Sequence, residues 1–232
     1  MESVLHSEYR NKRTNHGRIC IVYEGKNNTL RMFSILYKND GQLYNAAFHI
    51  HKGKIIQIVS KVNLSSMEKR WFTSGIDKNC ESEFKIIIGD DFYSDNSVAN
   101  FVIHIDASPA LVTAYDYHKS FVEKYTENRN CAYVYASAGP NESTTDFVYS
   151  GACLVAEKGK ITFEGNRFSF DSEIIINEIK LDKSNDIVSP IIIDKYSVNS
   201  SDTHPFIPSN KDELMERCRE IIEIQCTGLA KR

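Results

Sequence analysis

Gly89 stands where a run of isoleucines at 86–88 gives way to Asp90 and Asp91, and a second apolar run at 101–105 closes on Asp106 and Ser108. Short apolar runs closed by small or acidic residues are the pattern of buried strands feeding a functional loop. Side by side, the two strands would set 89–91 at the rim of a sheet, where open α/β folds carry their chemistry. The residue at that rim is a glycine, which has no side chain to react. His49 and His51 alternate on one strand and so share a face, which could begin a metal site. No third ligand lies nearby in the sequence, and strand-surface imidazoles are the simpler reading. The six cysteines, Cys20, Cys80, Cys131, Cys153, Cys218 and Cys226, show no C-x-x-C pair and no short Cys/His spacing. They read as reduced thiols in or near the core rather than as a disulfide or metal framework. Taken by type alone, Lys61 reads as a solvated lysine at a strand end and Glu68 as an exposed charge beside Arg70.

The elements that must position these groups follow from the hydrophobic pattern. Strand patterning recurs at 18–24, 30–37, 43–51 and 55–60, broken by the turn compositions G-K-N-N, N-D-G and K-G-K. Four strands in succession without a helix predict an antiparallel sheet. Residues 61–70 are polar, and Trp71 with Phe72 reads as an aromatic anchor. After the strand pair around Gly89, residues 113–129 carry Tyr117, Phe121 and Tyr125 at four-residue spacing, which predicts a helix with that face buried. Strand patterning returns at 132–138, 146–157, 160–168 and 173–181. A polar stretch at 182–200, interrupted by isoleucines at 191–193, leads to H-P-F-I-P at 204–208. Ser209 with Asp212 forms a capping-box spacing, and Leu214, Cys218, Ile221, Ile222, Gln225 and Leu229 then share one face of a terminal helix. About ten strands against two helices make a sheet-dominated α+β chain.

Composition narrows the functional classes. With 232 residues, 41% of them hydrophobic, the chain can bury one large core, with a smaller terminal element appended. The formal net charge of −3 gives no footprint for nucleic acid or for a membrane surface. No apolar run is long enough to span a bilayer, and the start M-E-S-V-L-H-S-E lacks an apolar signal core, so a cytoplasmic location is expected.

Four stretches together carry a family resemblance: G-Q-L-Y-N-A-A-F-H-I-H-K-G-K-I-I at 41–56, M-E-K-R-W-F-T-S-G at 67–75, Y-V-Y-A-S-A-G-P-N-E-S-T-T-D at 133–146, and H-P-F-I-P with the helix R-C-R-E-I-I-E-I-Q-C-T-G-L-A-K-R, within 204–232. They resemble the glutaminase half of glutamine-dependent NAD synthetase, a member of the nitrilase (carbon-nitrogen hydrolase) superfamily. The resemblance implies an α-β-β-α sandwich, here incomplete at the N-terminus. It also implies an irregular lead-in at 1–17, a partial glutaminase domain at 18–203 and a connector helix at 204–232 leading to a synthetase domain that this chain lacks. Neither cofactor nor metal is implied for this half.

The chemistry of that family is amide hydrolysis by a Glu-Lys-Cys triad, in which a thiolate attacks the glutamine carboxamide and a lysine ammonium stabilises the oxyanion. The resemblance places Lys61 at the lysine position and Glu68 at that of a supporting carboxylate. Gly89 takes the place of the cysteine, because I-G-D-D aligns with the family's I-C-E-D. The general-base glutamate falls in a part of the pattern this chain does not show, and Glu24, the nearest strand carboxylate, has no matching surroundings. Asp106 and Ser108 lie in the substrate-side segment, with an acid where a small hydroxyl is usual. A glutaminase relative that no longer hydrolyses glutamine is therefore expected, with glutamine binding in doubt and either a homo-oligomer or an intact NAD synthetase as partner. The alternatives are a residual amidase using another thiol, Cys80 or Cys131, and a non-catalytic assembly module.

Overall fold

The computed structural model describes residues 20–25, 28–51, 54–75, 84–95, 99–171, 177–179, 207–208 and 210–232, with side chains from Leu36 onward except His51. The predicted meander is present. β1 (Cys20–Gly25), β2 (Asn28–Asn39), β3 (Gln42–His51) and β4 (Lys54–Ser60) pair in sequence order, all antiparallel. Asp40 and Gly41, with φ of 47° and 79°, make the tight turn that joins β2 to β3; two positive φ angles in a row are the reason for glycine there.

A second sheet runs β5 (Lys85–Ile88), β6 (Phe101–Asp106), β7 (Ala132–Ser137), β8 (Cys153–Glu157) and β9 (Lys160–Glu164). The first three strands are parallel, and the last two are antiparallel. Helix α1 (Ala114–Arg129) makes the crossover from β6 to β7. One face of this sheet, with Ile86, Ile88, Phe101, Ile103 and Ile105, meets Ala47 of the first sheet, with Val59 packed alongside. The other face, through Ile87, Val102, Tyr133 and Leu154, meets Phe121, Val122 and Tyr125 of α1. Burial on both faces explains why β5 and β6 read as continuous apolar runs instead of alternating. An antiparallel sheet packed on a mixed sheet, with few helices, gives an α+β architecture, as expected from the strand count.

Several expectations need correction. Tyr117 is exposed, and the buried stripe of α1 runs through Tyr115, His118, Phe121, Val122 and Tyr125, because 3.6 residues per turn carry a strict four-residue spacing off the face. Trp71 is 74% exposed and anchors nothing. The strand expected at 146–157 begins only at Cys153, since 143–151 is a loop tied by Thr144 N–H to the Phe147 carbonyl and by Gly151 N–H to the Ala138 carbonyl. The strand expected to reach 168 ends at Glu164, after which Gly165 N–H bonds the Cys153 carbonyl. Of the strand expected at 173–181, the described part, 177–179, is irregular, while the isoleucines at 191–193 lie outside the described residues.

The cap of the terminal helix α2 (Lys211–Ala230) is Asn210, whose side chain accepts from Asp212 N–H at 2.9 Å; Ser209 lies outside the described residues. The helix docks by its polar face. Buried Glu220 accepts from Thr113 N–H and from Arg167 Nη1, each at 2.8 Å, and Gly228 lets the backbone come close to Val148. The expected apolar stripe therefore turns to solvent, with Ile222 57% and Leu229 75% exposed. Cys218 and Cys226 are exposed as well, contrary to the core placement expected of the cysteines. Glu220→Ala is expected to cost about 2–4 kcal/mol, because it strands the Arg167 guanidinium and the Thr113 amide. A shift of the denaturant midpoint equivalent to less than about 0.5 kcal/mol would show that these bonds do not hold the helix.

Candidate functional site

Parallel strands β5 and β6 end side by side, with Ile88 opposite Ile105, so Gly89 and Asp106 meet at one rim. Gly89 opens a 3-10 turn, Gly89–Ser94, at a φ of 52°. A side chain carried on a sharp, left-handed strand-to-helix turn is how α/β hydrolases expose a nucleophile. Here the turn is built and its side chain is absent. A Cβ placed on Gly89 would stand 3.1 Å from Lys61 Nζ and 3.5 Å from Asp106 Oδ1.

Lys61 reaches this point from the first sheet. It follows β4, its amide donates to the Asn45 carbonyl, and its side chain is buried against the gap. The ammonium bonds both oxygens of Glu68, at 3.0 and 2.9 Å. Glu68 also accepts from Ser65 N–H and from Asn45 Nδ2. Burial works to raise the Glu68 carboxyl, but the Ser65 amide together with the Lys61 hydrogen bond and charge outweigh it and hold the group below the usual carboxylate range. The reading of Glu68 as a partner for Arg70 is thus replaced by a half-buried pair with Lys61. The loop that carries Lys61 is tied to the Gly89 turn by the Asp91 carboxylate, which accepts from Val62 N–H at 2.9 Å and Asn63 N–H at 2.6 Å.

Asp106 is occupied on every side. Its Oδ1 accepts from the amides of Ala107 and Ser108 and from the Ser108 hydroxyl, and its Oδ2 from Tyr135. Behind it, His104 donates from Nε2 to the Gly89 carbonyl at 3.0 Å, which leaves Nδ1 to accept from the Tyr133 hydroxyl at 2.6 Å. The carbonyl can only accept, so chemistry decides the tautomer. His118 packs at a tilt against Tyr135 and Phe92. Burial lowers both imidazoles: His104 to about 4, with Asp106 and the Gly89 carbonyl partly offsetting, and His118 to about 3, with the neighbouring His104 adding to the effect.

The structure therefore brings Lys61, Glu68, Gly89, Asp106 and Ser108 to one place. Sequence reading missed His104, Tyr133 and Tyr135; a polar residue in the middle of F-V-I-H-I-D was the available signal. Among the described residues no cluster of His, Cys, Asp and Glu is arranged to hold a metal ion, and no helix is long and apolar enough to cross a membrane. His49 packs on Phe84, and the side chain of His51 lies outside the description.

Comparison with known proteins gives this rim its context. No family model matches the chain. The glutamine-dependent NAD(+) synthetase of Mycobacterium bovis is 21% identical over 253 aligned positions, which cover 82% of this chain and 37% of that protein. The structure of the Acinetobacter baumannii glutamine-dependent NAD+ synthetase in complex with ADP superposes with a TM-score of 0.54 at 22% identity, covering 60% of this chain and 30% of that one. Saccharomyces cerevisiae Nit3, a member of branch 10 of the nitrilase superfamily, superposes with a TM-score of 0.50 at 19% identity, over 57% of this chain and 54% of its own. The chain has a nitrilase-like fold and is similar in sequence to glutamine-dependent NAD(+) synthetases. It spans little more than a third of the curated relative's length. The synthetase relatives and the nitrilase fold are both as the sequence motifs implied.

Proposed function

We propose that this chain is a glutaminase-domain relative of NAD synthetase that keeps the frame for amide hydrolysis and does not perform it. The observation that carries this reading is the gap at Gly89. A nucleophile there would stand against the Lys61 ammonium on a turn shaped to present it, but the backbone ends in hydrogen. Without a sulfur or oxygen at that point no acyl-enzyme can form, and the carboxylates beside it, Glu68 and Asp106, are committed to other donors. The alternative of an amidase working through another thiol finds little support. Cys131 precedes β7, at the opposite end of the parallel strands from Gly89, and burial pushes its thiol up to about 12. Cys80 lies outside the described residues.

The test is ammonia release from glutamine by the purified chain and by its Lys61→Met variant. No release above a buffer blank is expected from either protein. Release proportional to wild-type protein and lost in the variant would overturn the proposal.

A further inference from the structure

We propose that α2 is a latch with two settings, in which Glu220 competes with a capping box local to the start of α1. The run Thr113-Ala114-Tyr115-Asp116 has the spacing by which a helix caps its own N-terminus, the threonine hydroxyl accepting from the amide three residues on and the acid accepting from the threonine amide. With α2 docked, that box stays open. Thr113 lies at φ 68° and ψ −8°, in the left-handed region instead of the extended one that an N-cap ordinarily takes, and its side chain makes no capping bond. Its amide donates to Glu220 Oε2 at 2.8 Å, so α2 supplies the acid that Asp116, exposed on α1, is placed to supply.

The two settings differ in strain and in what they hold. A β-branched residue at positive φ sits there against its preference, and Thr113 returns to the extended region once Glu220 lets go, closing the box as it does so. Arg167, the second partner of Glu220, keeps a resting place in that setting, since its guanidinium lies 4.4 Å from the centroid of the Tyr115 ring. Of the twenty residues of α2, Glu220 and Thr227 are the buried ones, so little further burial opposes release. Three ties of the docked helix fall on loops that leave the Asp106 rim. Thr113 ends the segment that begins at Ala107; Gly228 stands against Val148, whose carbonyl accepts from Ala110 N–H; and Arg232 reaches the Thr145 carbonyl at 3.5 Å. Seating of α2 is therefore coupled to the order of both loops, and by linkage the coupling runs in both directions.

Amide hydrogen exchange of the full chain tests this. The amides of α2 are expected to exchange through a local opening, at least about tenfold faster than those of Ile103 and Val134 in the sheet once intrinsic rates are divided out. Glu220→Gln keeps the shape and removes the charge that holds Arg167 and the Thr113 amide, and is expected to speed α2 and the Ala110 amide by about tenfold or more while the sheet amides stay as they were. Thr113→Val, a change of similar shape at an exposed position, keeps the strain and removes the hydroxyl that only the released setting uses, so α2 is expected to exchange about fivefold more slowly. A helix that is merely docked would show no such slowing. Exchange of α2 at the rate of the sheet, equal speeding of α2 and the sheet by Glu220→Gln, an Ala110 amide indifferent to that variant, or an α2 unchanged or faster in Thr113→Val would each overturn the proposal.

Discussion

Lys61→Met is expected to destabilise the protein by about 2–4 kcal/mol, between the costs of breaking an exposed and a fully buried ion pair, because Lys61 is buried and Glu68 half-buried. The lysine side chain is only 9% exposed, and its ammonium is bonded to both Glu68 oxygens. Methionine fills the space of the aliphatic stem but leaves Glu68, among the described residues, with the Ser65 amide and the Asn45 side chain as donors. Glu68→Gln makes the converse error, leaving an ammonium enclosed without a counter-charge. The double variant removes both charges and is expected to be less damaged than the sum of the single losses, with a coupling of about 1–3 kcal/mol. Denaturant unfolding of the four proteins measures this cycle. A single-variant cost under about 1 kcal/mol, typical of exposed pairs, would show that the site is not held by this bridge.

The second large effect is on pH. His104 and His118 are neutral in the folded chain, with values lowered by burial to about 4 and about 3, whereas an unfolded histidine takes its proton near 6.5. Below 6.5 the unfolded chain therefore binds protons that the folded chain refuses. Stability is fully present above that pH and is lost as pH falls toward about 4, by about 1.4 kcal/mol per pH unit for each histidine. Glu68, held below its ordinary value, adds a loss in the same direction further into acid. His118→Phe keeps an aromatic ring against Phe92 and Tyr135 and should remove about one proton from the slope. His104→Ala removes the donor to the Gly89 carbonyl and the acceptor for Tyr133 and leaves a hole among stacked rings, so about 3–5 kcal/mol should be lost at neutral pH. Thermal unfolding across pH 4 to 8 reads both. A profile that is flat between 6.5 and 5 would mean that the imidazoles are not held neutral inside.

The antiparallel meander, the strand pair around Gly89 and the existence of two helices were all legible from residue pattern, because each rests on local periodicity and turn chemistry. The grouping of Lys61, Glu68 and Gly89 was legible only through family resemblance. By residue type Lys61 looked solvated, and nothing local shows that β4 will end against the β5 rim. The tertiary structure alone decided three matters. The wiring of His104 to the Gly89 carbonyl and to Tyr133 joins residues from three separate segments, so no short window contains it. The bond from Asp91 to the Lys61 loop spans the two sheets for the same reason. The orientation of α2 was the furthest from local reach: its apolar stripe marked one face for burial, yet an ion pair to Arg167 and the close approach of Gly228 to Val148 fixed the other face inward. Periodicity reports which face of a helix is apolar, and only the partners assembled around it determine which face the chain itself covers.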